Sequence, residues 1–126
     1  MRIVFLTITL LVLIISLSWY GTAYLQASAG ELLELLNTAE NHILEENWGA
    51  AQATLQTVND RWKEIHTRWK ILIDHRETDE IEAAIARLRS FSTTQDQGDA
   101  LSELSVLSFR LQHIPAKERL LLRNIF

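Results

Sequence analysis

The chain has 126 residues, a formal net charge of −4, no cysteine, one proline and four glycines. That length leaves room for one modest core, and the missing thiols exclude disulfides, thiolate metal sites, cysteine nucleophiles and a cysteine-borne lipid. With Arg2 set aside, sixteen acids face eleven bases after residue 30, a balance that argues against attraction to nucleic acid or to an anionic membrane surface.

From Ile3 to Gly30 there is no Asp, Glu, Lys, Arg or His, and the first part of this stretch, IVFLTITLLVLIISLSWY, is almost wholly apolar. As a helix, Ile3 to Tyr20 covers about 27 Å, close to the roughly 30 Å hydrocarbon core of a bilayer. Trp19, Tyr20 and Tyr24 follow the run, where amphipathic rings prefer the headgroup level. Arg2 precedes it and no further Lys or Arg occurs before Arg61. The positive-inside rule then predicts a transmembrane anchor over 1–28 with a cytoplasmic N-terminus, and an extracytoplasmic helical domain over 29–126. The rival reading is a signal peptide cut after Ala27-Ser28-Ala29, which would release a secreted protein. Against it stand an apolar run longer than the usual 7–15 residues, a single-Arg n-region, and a cleavage site far beyond Tyr20.

Apolar positions Leu25, Ala29, Leu32, Leu36, Ala39 and Ile43 follow a 4, 3, 4, 3, 4 spacing, a heptad seam that predicts a stalk continuing the membrane helix to about Glu46. Gly21 and Gly30 are the expected kink points. Asn47 reads as the N-cap of a second helix carrying Trp48, Ala51, Leu55, Val58, Trp62, Ile65, Trp69 and Leu72 to about His75. A short turn makes this long helix antiparallel to the stalk. HRETDE breaks the pattern, and Asp79 with Glu82 resembles a capping pair opening a third helix with Ile81, Ala84, Ile85, Leu88 and Phe91. STTQDQG reads as a loop. A fourth helix from about Asp99 bears Leu101, Leu104, Leu107, Leu111 and Ile114 and is expected to stop at Pro115. No period-two alternation predicts a strand. The fold class is all-α: an N-terminal transmembrane helix continuing into an antiparallel helical hairpin or bundle with one long central helix. Five acids over 31–46 and four bases over 110–123 can pair across such a bundle.

Trp48, Trp62 and Trp69 fall on the seam and demand small residues opposite, for which Ala39, Ala84, Ala86 and Ala100 are available. An aromatic-walled pocket is one reading, but their register with Leu, Val and Ile favours core packing. His66 lies beside the seam, and His75 reads as a helix C-terminal residue favoured by the dipole. His42 with Glu45 and Glu46 is the nearest approach to a metal face, yet HExxH and Glu-x-x-His are absent. No nucleophile elbow, P-loop or dinucleotide fingerprint occurs. The expectation is a non-enzyme without metal or cofactor.

The Trp62/Trp69 pair, His75-Arg76-Glu77 ahead of Ile81, Ile85 and Leu88, and the closing Asn124-Ile125-Phe126 resemble the DUF4363 family. The resemblance implies a small membrane-anchored protein of Gram-positive bacteria, without assigned activity, with a membrane protein as partner. Trp62, His66, Trp69, His75, Glu77, Asn124 and Phe126 are the candidate interaction or pocket-lining residues. Leu120, Leu121, Leu122, Ile125 and Phe126 give the tail apolar weight, so it is expected to dock on the bundle. The leading functional expectation is a single-pass accessory protein acting through protein contacts. The alternatives are a small-ligand-binding or sensing domain and a secreted soluble protein.

Overall fold

The computed structural model describes residues 1–125, and of these the side chains of all but 116–122 and 125. Four helices account for the fold: α1 (Arg2–Leu44), α2 (Trp48–Leu72), α3 (His75–Thr93) and α4 (Gln97–Ile125). No strand occurs among the described residues.

α1 is one uninterrupted helix of 43 residues. Four hydroxyls of its lower half bond back to the carbonyl one turn earlier: Thr7 to Ile3, Thr9 to Phe5, Ser16 to Val12 and Thr22 to Ser18. These side chains thus find acceptors on their own helix without water. Gly21 and Gly30 lie within the helix rather than ending it. At Gly21 the missing side chain admits Leu72, whose Cδ2 sits 2.8 Å from where a Cβ would stand.

α1 and α3 end in the same way. Glu46 and Gln95 each take a left-handed backbone with φ 56°, Asn47 N–H donates to the His42 carbonyl, and Asp96 N–H donates to the Phe91 carbonyl. With the Glu46-to-Ile43 and Gln95-to-Ser92 bonds, these are Schellman motifs that satisfy the last carbonyls. Gln97 adds a bond from its side-chain amide to the Ile43 carbonyl, 3.1 Å. Asn47 caps α2 as expected, accepting from Ala50 N–H.

The α2–α3 boundary differs from the expected one. α2 stops at Leu72, Ile73 is extended, and Asp74 rather than Asp79 caps α3 by accepting from Arg76 N–H at 3.0 Å. HRETDE is therefore the first turns of α3, polar because they lie at an exposed end, and of its six residues only Thr78 is buried. His75 begins a helix instead of closing one, so the dipole argument for it reverses. Nor does Pro115 stop α4, which runs through it to Ile125. Proline's φ suits a helix. The loss is one bond toward the Leu111 carbonyl and a ring clash, about 3 kcal/mol in an exposed helix, and here the ring is buried.

Connections of three, two and three residues (45–47, 73–74, 94–96) make consecutive helices antiparallel. α1 packs on α2 and α4, and α3 packs on the same two, giving an up-down-up-down four-helix bundle. Its core contains Leu25, Leu32, Leu36, Ala39 and Ile43 of α1, the α2 seam from Ala51 to Trp69, Ile81, Ala84, Ile85 and Leu88 of α3, and Ala100, Leu104, Leu107, Leu111 and Ile114 of α4. Ala86, expected opposite a tryptophan, is exposed instead. The bundle occupies only the upper part of α1. Below Gly21 the helix projects alone, with residues such as Phe5 and Leu17 72% and 61% exposed.

The expected pairing of the acidic 31–46 stretch with the basic 110–123 stretch is not what the described side chains form. Glu31 binds Arg61 of α2 at 2.7 Å, and Arg110 approaches Glu80 of α3 at 3.9 Å. Lys117 and Arg119 lie outside the described side chains, as do Leu120, Leu121, Leu122, Ile125 and Phe126, so the docking of the tail on the bundle does too.

Left-handed backbone costs an L-residue about 1–2 kcal/mol, part of which glycine loses again through its larger unfolded-state entropy. Glu46→Gly and Gln95→Gly are each expected to raise the unfolding temperature modestly, by up to about 1 kcal/mol of stability. Leu36→Ala, at a fully buried site, is expected to cost about 2–5 kcal/mol. Thermal unfolding followed by circular dichroism in detergent measures all three.

Candidate functional site

Three of the seven candidate residues meet on α2. Trp62 and Trp69, one heptad apart, are both buried and touch edge to face, with ring centroids 5.5 Å apart and planes at 72°, the arrangement that aligns ring edge with ring face. His66 lies between them, half-buried, its ring centroid 6.3 Å from Trp62. Its Nδ1 is 2.8 Å from the Lys63 carbonyl, a bond local to its own helix.

The polar end of Trp69 is held by a residue that the sequence reading treated only as part of a cleavage site. Trp69 Nε1–H donates to Ser28 Oγ at 2.8 Å, inside the core, and Ser28 donates onward to the Tyr24 carbonyl at 2.7 Å. A buried indole needs an acceptor, so a seam tryptophan is itself the signal to look for a small hydroxyl on the neighbouring helix. Tyr24 is engaged from the other side by Arg68, whose guanidinium carbon lies 5.3 Å from the ring centroid, a cation–π distance. Trp62 Nε1 is buried with no hydrogen-bond partner among the described residues. The two tryptophans thus belong to the core, in line with Leu55, Val58 and Ile65 on the same seam.

The other four candidates lie elsewhere. His75 is exposed at the first position of α3 and Glu77 is half-buried one turn in, both at the end of the bundle nearest the projecting part of α1. Asn124 is exposed near the end of α4, and Phe126 lies outside the described residues. No group of three or more His, Asp or Glu is placed to hold a metal ion among the described residues. Between α2 and α3 a shallow groove of about 130 Å³ is lined by Gln52, Leu55, Gln56, Arg89 and Thr93, with Arg89 bonded across it to Gln56 at 2.6 Å. It is smaller than pockets that take small-molecule ligands, roughly 300 Å³ and upward.

Electrostatics at the surface are structural. The hydrogen bonds that the Arg61 guanidinium donates to Glu31 and then to Glu64 push its pKa further up from the ordinary value, although it is solvent-exposed. At the start of α4 the Asp99 carboxyl is raised by its hydrogen bond with Asp96. Such exposed contacts fix register more than they stabilise.

The architecture defines a class: a four-helix bundle built on the upper part of one helix whose lower part is long and apolar enough to cross a membrane. The family described as Domain of unknown function (DUF4363) matches residues 19–125, and the chain belongs to it. The match begins at Trp19 and takes in the whole bundle. No curated protein and no solved structure matches the chain.

Ser28→Ala leaves the Trp69 indole with a buried, unpaired donor, and the expected cost is about 1–3 kcal/mol. Trp69→Phe removes the donor, so Ser28→Ala in that background is expected to cost less. A double-mutant cycle on chemical unfolding measures the difference, and equal costs in the two backgrounds would show that the bond contributes nothing.

Proposed function

We propose that the protein is a non-enzymatic, single-pass membrane protein whose bundle stands outside the cytoplasm and acts as an accessory subunit through protein contacts. The observation carrying this reading is the continuity of α1. Residues 2–20 expose apolar side chains all round, while Leu25, Ser28, Ala29, Leu32 and Leu36 of the same helix are core residues. An all-round apolar helix suits lipid. Its removal by a cut after Ala29 would strip Leu25, Ala29 and the Ser28 acceptor from the bundle, which favours a retained anchor over a signal peptide. Arg2 before the span, with no Lys or Arg again until Arg61, favours a cytoplasmic N-terminus. For the contact itself, Val106 and Phe109 on the outer face of α4 are 44% and 59% exposed, and Phe109 stacks on His113 with centroids 3.9 Å apart.

Mass spectrometry of the protein recovered from washed membranes is expected to return the full chain, and a soluble species beginning at Gly30 would overturn the anchor. A purified protein starting at Gly30 is expected to unfold at a lower temperature than one starting at Trp19. Crosslinking in membranes is expected to capture a larger species, and Phe109→Glu to reduce its yield; a monomer alone under all conditions would count against the accessory role.

A further inference from the structure

Leu72 packs on Gly21 and Arg68 sits over the Tyr24 ring, so the register of α2 against α1 is fixed at the bundle's lower end. Ile71, one residue before Leu72, lies within about one 1.5 Å step of the level of Gly21. Trp19 and Tyr20, at the end of the apolar run, are 72% and 66% exposed, and Ile71 itself is 80% exposed. The helix exit and the α2–α3 corner therefore present three large apolar or amphipathic side chains at nearly one height. Next to them stand Arg68, Lys70 and Arg76 together with Glu77, Asp79 and Glu80 of the first turns of α3, so the corner is of mixed charge, and Asp74 is occupied in capping α3. At the opposite end of the bundle, roughly 35 Å from Gly21 along α1, the exposed Leu44 shares its end with Glu40, Glu45, Glu46, Asp96 and Asp99, with no Lys or Arg between residues 44 and 60.

From this we infer that the α2–α3 corner is a lipid-contact surface: Ile71 enters the interfacial layer of the bilayer beside Trp19 and Tyr20. The bundle is then seated on the membrane rather than held clear of it. The interfacial layer extends roughly 5–7 Å on each side of the hydrocarbon core, and with Tyr20 at its inner edge Ile71 falls inside it. The driving contact is apolar, since the net acidity of the domain gives no general attraction to anionic lipid. The inference rests on the anchoring of α1.

Because the chain has no cysteine, single labels can be placed without background. Ile14→Cys, Ile71→Cys and Leu44→Cys, all at exposed positions, are labelled with a polarity-sensitive fluorophore after circular dichroism confirms their helix content. They are then reconstituted in phosphatidylcholine vesicles with nitroxide-bearing phosphatidylcholine at headgroup or mid-chain depth. The Ile14 probe is expected to lose most of its emission to the mid-chain nitroxide. The Ile71 probe is expected to shift to the blue and to be quenched mainly by the headgroup nitroxide, and the Leu44 probe to behave as in water. Lys70→Cys, one residue away, is expected to repeat the Ile71 pattern. An Ile71 probe indistinguishable from the Leu44 probe, with Ile14 quenched, overturns the lipid contact and leaves the anchor standing. An unquenched Ile14 probe overturns both.

Discussion

The structure depends on one covalent fact, that the long apolar segment and one wall of the bundle core belong to a single helix. α1 has no break at which an anchor could be set apart from a domain. Past its first turn, its lower part leaves apolar side chains bare while its backbone groups bond within the helix and Thr7, Thr9, Ser16 and Thr22 turn back on it. Its upper part contributes one wall of the core. The division at residue 28 therefore runs through a packed helix, with Leu25 and Ser28 on the anchor side already buried against α2.

Around that wall the bundle is assembled by short connections, and the choice of connection decides the geometry. Two of them use left-handed residues that are not glycine, Glu46 and Gln95, while the third is an extended Ile73 followed by the Asp74 cap. The first two lie at the far end of the bundle and are joined there by Gln97, which reaches from α4 to the last carbonyls of α1. Closure of the four-helix ring thus falls to a side chain as well as to the core.

Much of this was legible because burial repeats. The 4, 3 spacing on α1 and α2 located both helices, their antiparallel pairing and nearly every core residue of the seam. What escaped was set by single residues acting outside the pattern. Asp74 and Asp79 both have the side chain of a cap, and what distinguishes them is tertiary: Thr78 is buried, and the bond from Arg76 N–H goes to Asp74. Pro115 reads as a stop unless its ring is known to be covered. Ser28 reads as part of a processing site because its partner lies forty-one residues away, and Ile71 lies off the seam. The candidate residues separate for a related reason: Trp62 and Trp69 are bulky and apolar, which is a property of cores, whereas His75, Glu77 and Asn124 are polar and lie at exposed or half-buried ends.

The stiffness of α1 has a mechanical consequence. A spanning segment adjusts to bilayer thickness by tilting, commonly by about 20°, and here no hinge separates the segment from the bundle. In the anchored arrangement proposed above, any lean imposed below is carried upward along the roughly 35 Å of helix between Gly21 and Leu44. At 20° the far end, with its acidic rim and its Gln97 clasp, would move sideways by roughly 12 Å. Membrane thickness would thereby determine where that rim stands relative to anything fixed in the same bilayer.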